Sequence, residues 1–211
     1  LYGVPGELII ATVPAENTNA QFLLRIGGHV DNISPRDEWK RPPEVHWSWA
    51  LDAERVMAAS PFGGALYIDV GTNHRDMDPF EIIIEGAVEA PYFVLGETTD
   101  EAWINGLRDA PGPYAELVSE RVAISLPSHL IRELDDPTAI MNFWNEVVRL
   151  QDELGTHAER RYMAERINID VQISIGLLHS GYPTQGPVFM GVELVDLDHL
   201  QRTGSWGWFH E

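Results

Sequence analysis

The sequence contains no cysteine among its 211 residues. This excludes disulfide bridges, thiolate zinc sites and cysteine nucleophiles. Long hydrophobic runs are also missing: none reaches the roughly 18 residues that a membrane-spanning helix needs, so no transmembrane segment is expected. Positive charge is scarce, with 14 Lys and Arg against 33 Asp and Glu and a net charge of −19. Such a chain repels phosphate backbones, so nucleic acid is not an expected partner.

The residues that are present are typical of a folded protein. Hydrophobic residues make up 44% of the chain, and the length suffices for one large core or two small ones. There is no basic-then-apolar leader, the first residue is Leu1 rather than Met, and the chain stops inside a motif at Glu211. We therefore expect an internal fragment of a longer protein.

The first part of the chain has the residue pattern of an all-β module. Short β-branched and aromatic runs alternate with Gly, Pro, Asn and Asp, which indicates many short strands in a sandwich. We predict a β-sandwich-like module over residues 1–96. Its strands are predicted at Glu7–Val13, Phe22–Ile26, Val45–Leu51, Ala65–Val70 and Phe80–Ile84.

Helical signals begin after Gly96. Thr98, Thr99 and Asp100 can cap a helix over Glu101–Arg108, and a strand is predicted over Arg121–Leu126. The clearest helix starts with Asp136 as N-cap and Pro137 in the first turn, and it ends at Gly155. The fold class predicted for the whole chain is α+β.

The strongest strand pattern lies over Arg166–Leu177, where apolar and polar residues alternate without a break. A turn follows at 178–183. For 188–200 the spacing fits helix and strand about equally, and helix is favoured. Gly204 and Ser205 then offer a loop and N-cap for a new helix over Trp206–Glu211.

The last two residues, His210 and Glu211, look like the start of an H-E-x-x-H motif. That motif places two imidazoles one helical turn apart on a zinc ion, with the Glu beside the first as base. A His-Glu pair alone is uninformative, because it recurs by chance and usually lies in a solvated helix end. Its meaning depends on what precedes it.

The preceding residues resemble the enhancin-like zinc metallopeptidases (peptidase family M60), a mucin-degrading family. The segment Gly204–Glu211 is similar to the run that leads into H-E-x-G-H in that family. Further ordered similarities, covering essentially the whole chain, lie at Pro61–Gly64, Gly86–Gly96, Asp135–Pro137 leading into Phe143 and Trp144, Asp170–Ser174 and the H-S-G-Y-P turn His179–Pro183.

The resemblance implies a zinc-dependent endopeptidase that hydrolyses glycoproteins, mucin-like ones in particular, outside the cell or at its surface. His210 would be a zinc ligand and Glu211 the general base, with the other ligands beyond the end of the chain. His179 and Tyr182 are candidate substrate-binding residues. Residues 97–211 would be the truncated first part of a zincin-type catalytic domain, and the fragment alone is expected to be inactive and to bind no zinc tightly.

Several alternatives remain open at this stage. The full protein can be an inactive family member that serves as a protein-interaction scaffold, or its sandwich can bind carbohydrate or anchor the enzyme. His179 can simply be a turn residue packed against Tyr182. The strand over Arg166–Leu177 can be an edge strand that pairs with an extended substrate or an ordinary half-buried strand. The acidic pairs Asp76 with Asp78 and Asp196 with Asp198 lack a calcium-loop pattern and indicate solvated surface.

Overall fold

The chain passes between two structural units more than once. The computed structural model describes residues 1–71, 77–156, 161 and 163–211. Unit 1 consists of Leu1–Val30 and Glu44–Glu89, and unit 2 consists of Asp31–Pro43 and Ala90–Glu211. The segment Asp31–Pro43 therefore belongs to unit 2 although it is flanked on both sides by unit 1. We call it the crossing segment.

Unit 1 is built from two antiparallel sheets. The first has the strand order β4-β3-β6-β1-β8 and the second the order β5-β2-β7. Each strand predicted in this region overlaps an observed one. The strands are β1 (Tyr2–Gly3), β2 (Ile9–Thr12), β3 (Leu23–Ile26), β4 (Trp47–Ala50), β5 (Arg55–Ala58), β6 (Gly64–Asp69), β7 (Ile83–Glu85) and β8 (Ala87–Val88), with a 3-10 turn at Ala15–Asn17.

Both sheets of unit 1 contribute to one core. Ile9 and Ala11 of β2 are fully buried together with Leu24 and Ile26 of β3, and all four belong to a single hydrophobic cluster. Alternate residues of β2 and β3 are buried, as the period-two pattern predicts. This arrangement is the one expected of a sandwich.

Unit 2 contains a five-stranded mixed sheet with the order β13-β12-β11-β10-β9. Neighbouring strands are parallel except for β10 and β11, which are antiparallel. The strands are β9 (Tyr92–Val94), β10 (Tyr114–Val118), β11 (Val122–Pro127), β12 (Glu165–Asp170) and β13 (Thr184–Pro187). The helices are α1 (Asp100–Ile104), α2 (Pro137–Leu154), α3 (Val188–Gly191), α4 (Leu197–Arg202) and α5 (Trp206–His210), with 3-10 turns at Leu107–Asp109, Ser128–Leu130 and Val192–Val195.

The mixed α+β class predicted from the sequence is confirmed, and α2 has the predicted limits. The Asp136 carboxylate accepts a hydrogen bond of 2.8 Å from the backbone N–H of Ala139, and Gly155 forms the C-cap. Trp144 and Val148 lie on the buried face of α2 and pack into the core of unit 2. None of the described helices is both long and apolar enough to cross a membrane.

A buried acidic residue lies in the last turn of α2. Asp152 is only 2% exposed and is bound by both arms of Arg161, at 2.6 and 2.7 Å, and by Arg121 at 3.2 Å. Hydrogen bonding from Arg161 is the main reason that the pKa of Asp152 lies below its ordinary value. The pairing compensates for the burial of the charge.

Two predicted elements are shorter than expected. The helix predicted over Glu101–Arg108 is capped as expected, since Thr99 accepts from the N–H of Ala102, but it ends at Ile104. Gly106 then interrupts it before the turn at Leu107–Asp109. The region 188–200 is helical, as favoured, but in the short pieces α3, Val192–Val195 and α4.

The strand predicted over Arg166–Leu177 is wrong beyond Asp170. The chain leaves the sheet there, and Ile175 and Leu177, which alternation placed inside, are 66% and 57% exposed. The crossing segment binds the irregular part instead: Arg36 donates to the carbonyl of Ile173, and Gln172 accepts from the N–H of Lys40. Side-chain pairing with a distant segment therefore replaces the sheet.

Candidate active site

The helix α5 lies directly against the sheet of unit 2 through its second tryptophan. Trp208 is 4% exposed, and its indole Nε1–H donates to the carbonyl of Met190 at 3.1 Å. Glycine at position 186 of β13 permits this approach, because a Cβ there would lie 2.2 Å from Cη2 of Trp208. Gly207 has a similar role, since its Cβ would lie 2.7 Å from Cδ1 of Leu178.

Side chains on both sides of Trp208 also fix α5. The Ser205 hydroxyl makes a short hydrogen bond to the carboxylate of Glu193. Phe209 packs against Trp144 of α2 with ring centroids 5.7 Å apart, and the Gln151 side chain donates to the Phe209 carbonyl at 2.8 Å. These contacts restrain α5 immediately before the candidate residues His210 and Glu211.

His210 and Glu211 are both exposed and lie next to each other at the end of α5. They border a pocket of about 370 Å³ whose apolar walls include Trp144 and Trp208. The His210 ring stacks on Trp206, with centroids 5.5 Å apart and planes at 30°. A neutral imidazole in this position is a suitable zinc ligand and a neighbouring carboxylate a suitable base.

The described residues do not form a metal site by themselves. No group of three or more His, Cys, Asp or Glu side chains within 1–71, 77–156, 161 and 163–211 could hold a metal ion together. A catalytic zinc needs three protein ligands and one open position. His210 is thus compatible with zinc as one ligand of such a set.

The turn that carries His179 lies close to the start of α5. Leu178, which precedes His179, lies against both Gly186 of β13 and Gly207 of α5. His179 forms an antiparallel bridge with Gln185 through two backbone hydrogen bonds. Its imidazole Nε2 is 3.2 Å from Oδ2 of Asp31, and its Nδ1 is 3.2 Å from the Ser180 carbonyl. The imidazole of His179 thus contacts Asp31 and Ser180, whereas the side chain of Tyr182 is 53% exposed.

Asp31 and Arg41 are site neighbours that sequence reasoning missed. Burial disfavours the charged form of Asp31, but hydrogen bonds from Ser174 and His179 outweigh it and keep the pKa of Asp31 below its ordinary value. Arg41 is bound to the buried carboxylate of Asp170, at 2.7 Å, and to the Asp31 carbonyl, at 2.8 Å. No local pattern links positions that are 129 residues apart in sequence.

Comparison with known proteins decides the family. Residues 86–211 match the family model "Peptidase M60, enhancin and enhancin-like", and residues 1–85 match "N-terminal domain of M60-like peptidases". The chain belongs to the M60 peptidase family. The resemblance predicted from the terminal motif and the H-S-G-Y-P turn is confirmed.

One similar relative of this M60 chain is the mouse protein named TRPM8 channel-associated factor 3. It is 35% identical over 211 residues, which is 100% of this chain and 23% of that protein. The M60 chain thus spans about a quarter of the length of the curated relatives it matches.

Solved structures show the same fold for the M60 chain. The catalytic module of the metalloprotease ZmpA from Clostridium perfringens superposes with a TM-score of 0.76 at 15% identity, covering 100% of this chain and 46% of that one. The M60 catalytic domain of ZmpC from the same organism, in complex with the sialyl T antigen, gives 0.70 at 14% identity, covering 92% and 43%.

The edge-strand hypothesis for the M60 chain is wrong for β12. This strand pairs with β11 on one side and with β13 on the other, so its main chain has no free edge for a substrate. The acidic pair at 196 and 198 has structural partners: Asp196 caps α4 by accepting from the N–H of His199, and Asp198 pairs with Arg202. Asp76, of the other acidic pair, lies outside the described residues.

Proposed function

We propose that this chain forms the N-terminal module and the first part of the catalytic domain of a zinc-dependent endopeptidase. The observation that carries the proposal is the arrangement of α5, which is fixed through Trp208 and presents His210 and Glu211 to solvent beside a pocket. Family membership and the fold of metalloprotease catalytic modules support it.

In this proposal His210 supplies one imidazole ligand and the ligand set is completed by residues outside this chain. When bound, zinc would activate a water molecule and polarise the scissile carbonyl. Glu211 lies one residue from the ligand, so its carboxylate can accept the proton of the attacking water and pass it to the leaving amine. The contacts of α5 with Met190 and Gln151 restrain the helix that carries both residues.

We further propose glycoproteins, mucin-like ones in particular, as the substrate class, and an extracellular or cell-surface location. The support for the substrate is that the structurally similar ZmpC domain was solved in complex with the sialyl T antigen. His179 and Tyr182 are proposed to contact the substrate, His179 through the part of its ring left accessible beside Asp31.

The decisive test is Glu211→Gln in the full-length protein, because it removes the base and keeps the side-chain size. We expect zinc at about one equivalent in both forms and cleavage of a mucin substrate reduced by about 10²- to 10⁴-fold in the variant. Glu153→Gln is the matched control, since Glu153 is an exposed carboxylate on α2 that pairs with Arg149. Undiminished cleavage by Glu211→Gln would exclude the role given to Glu211.

The second candidate is a protein-interaction scaffold without catalytic activity. The specific observation in its favour is the 35% identity to a protein named as a channel-associated factor. A scaffold predicts a full-length protein that is purified without zinc and cleaves no glycoprotein, and whose partner binding is unchanged by Glu211→Gln. Zinc content therefore separates the two candidates before any substrate is known.

A further inference from the structure

Trp206 differs from the other aromatic residues of α5 in its exposure. Trp208 is 4% exposed and belongs to the core, whereas Trp206 is 78% exposed. Within this chain the indole of Trp206 therefore contributes little to the hydrophobic core.

The Trp206 ring stacks on the imidazole of His210, which lies one helical turn later. The ring centroids are 5.5 Å apart and the planes are inclined by 30°, within the range of offset aromatic stacks. Side chains on a helix slant toward its N-terminus, so the residue at i+4 comes to lie over the residue at i. Trp206 thus covers one face of the imidazole and leaves the ring edge, which carries the nitrogens, accessible.

A zinc-binding histidine needs a fixed ring orientation, because its nitrogen lone pair must point at the metal. The second ring nitrogen usually provides this by donating to a carboxylate or a carbonyl. Among the described residues no such partner is recorded for His210. The stacked indole is the contact that restrains this ring.

We propose that Trp206 is a positioning residue that sets the ring orientation of His210 for zinc coordination. This inference rests on the proposed function. It predicts that the flat face of the side chain at 206 matters for metal affinity, and that its apolar volume does not.

The test compares Trp206→Phe with Trp206→Leu in the full-length protein. Phe keeps a ring that can stack, while Leu keeps apolar volume without one. We expect Leu to raise the zinc dissociation constant about tenfold, the lower end of what outer-shell partners contribute, and Phe to stay within about threefold of wild type. Saturating zinc should restore cleavage by Trp206→Leu, because high zinc refills a weakened metal site but does not rescue a misfolded protein.

Trp39→Leu is the matched control, since Trp39 is a 58% exposed tryptophan of the crossing segment that makes no ring contact with the residues the structure describes. It should leave zinc affinity unchanged. Equal zinc affinity of wild type, Trp206→Phe and Trp206→Leu would overturn the inference while leaving the proposed function intact. Equal loss in both variants would also overturn it, because a stacking ring would not have rescued binding. A wild-type protein that binds no zinc would overturn the inference and the proposed function together.

Discussion

The position of α5 depends on the absence of a side chain at residue 186. In Gly186→Ala the new methyl group would lie 2.2 Å from Cη2 of Trp208 and 2.6 Å from Cδ2 of Leu178. Carbon atoms in contact are separated by about 3.5–4.0 Å, so the indole must move by more than an ångström. The predicted result is displacement of α5 from β13.

The size of the effect follows from a steric overlap that is introduced and a hydrogen bond that is lost. Overpacking a well-filled core costs about 1–3 kcal/mol, and losing the hydrogen bond from Trp208 to Met190 adds about 1 kcal/mol. The sum of about 2–4 kcal/mol corresponds to exchange of the backbone amides of α5 that is faster by roughly 30- to 700-fold. Hydrogen exchange read out by mass spectrometry on the full-length protein measures this locally.

Gly106→Ala is the matched control, because a Cβ at Gly106 would have no heavy atom within 4 Å. It should leave the exchange of α5 unchanged. The double variant Gly186→Ala, Trp208→Leu should be less destabilised than the sum of its single changes, since the smaller side chain removes the clash. Wild-type exchange in Gly186→Ala, or strict additivity in the double variant, would refute this account of the packing.

Two further predictions concern the surroundings of the site. Asp152→Asn should destabilise the protein by about 3 kcal/mol, the lower end for breaking a buried pair, because Arg161 keeps its second partner Glu165. Since the pKa of Asp152 is lowered by folding, this stabilisation is present above about pH 4 and is lost as the pH falls further. A gap between the two melting temperatures that does not narrow as the pH is lowered from about 4 would contradict it. Trp144→Phe should cost about 1–3 kcal/mol, because it leaves the Leu194 carbonyl, now bound by the indole N–H at 2.8 Å, without its partner; unchanged urea unfolding would contradict that reading.

Local signals allowed parts of the fold to be predicted from the sequence. The helix α2 was predicted with its caps because an N-cap Asp, a first-turn Pro and a terminal Gly each act within a few residues of the helix end. The candidate pair His210 and Glu211 was found in the same way, from a contiguous motif. Both features could be predicted because the residues that signal them lie close together in the sequence.

Other features depend on residues far apart in sequence. The pattern over Arg166–Leu177 continues past the true end of β12, because alternation does not reveal that Asp170 is bound by Arg41. The pairing of His179 with Asp31 was missed for the same reason. Trp206 could not be told from Trp208 by type or spacing, since only packing decides which of the two indoles enters the core.

The crossing segment limits how this protein can be divided. A recombinant fragment that starts at the family boundary, residue 86, would lack Arg41 and Asp31. Asp170, whose side chain is 1% exposed, would then lose its cation, and His179 its carboxylate. A division of this chain that preserves these contacts therefore has to keep Asp31–Pro43 together with residues 86–211, so the residues of unit 2 do not form one continuous stretch of sequence.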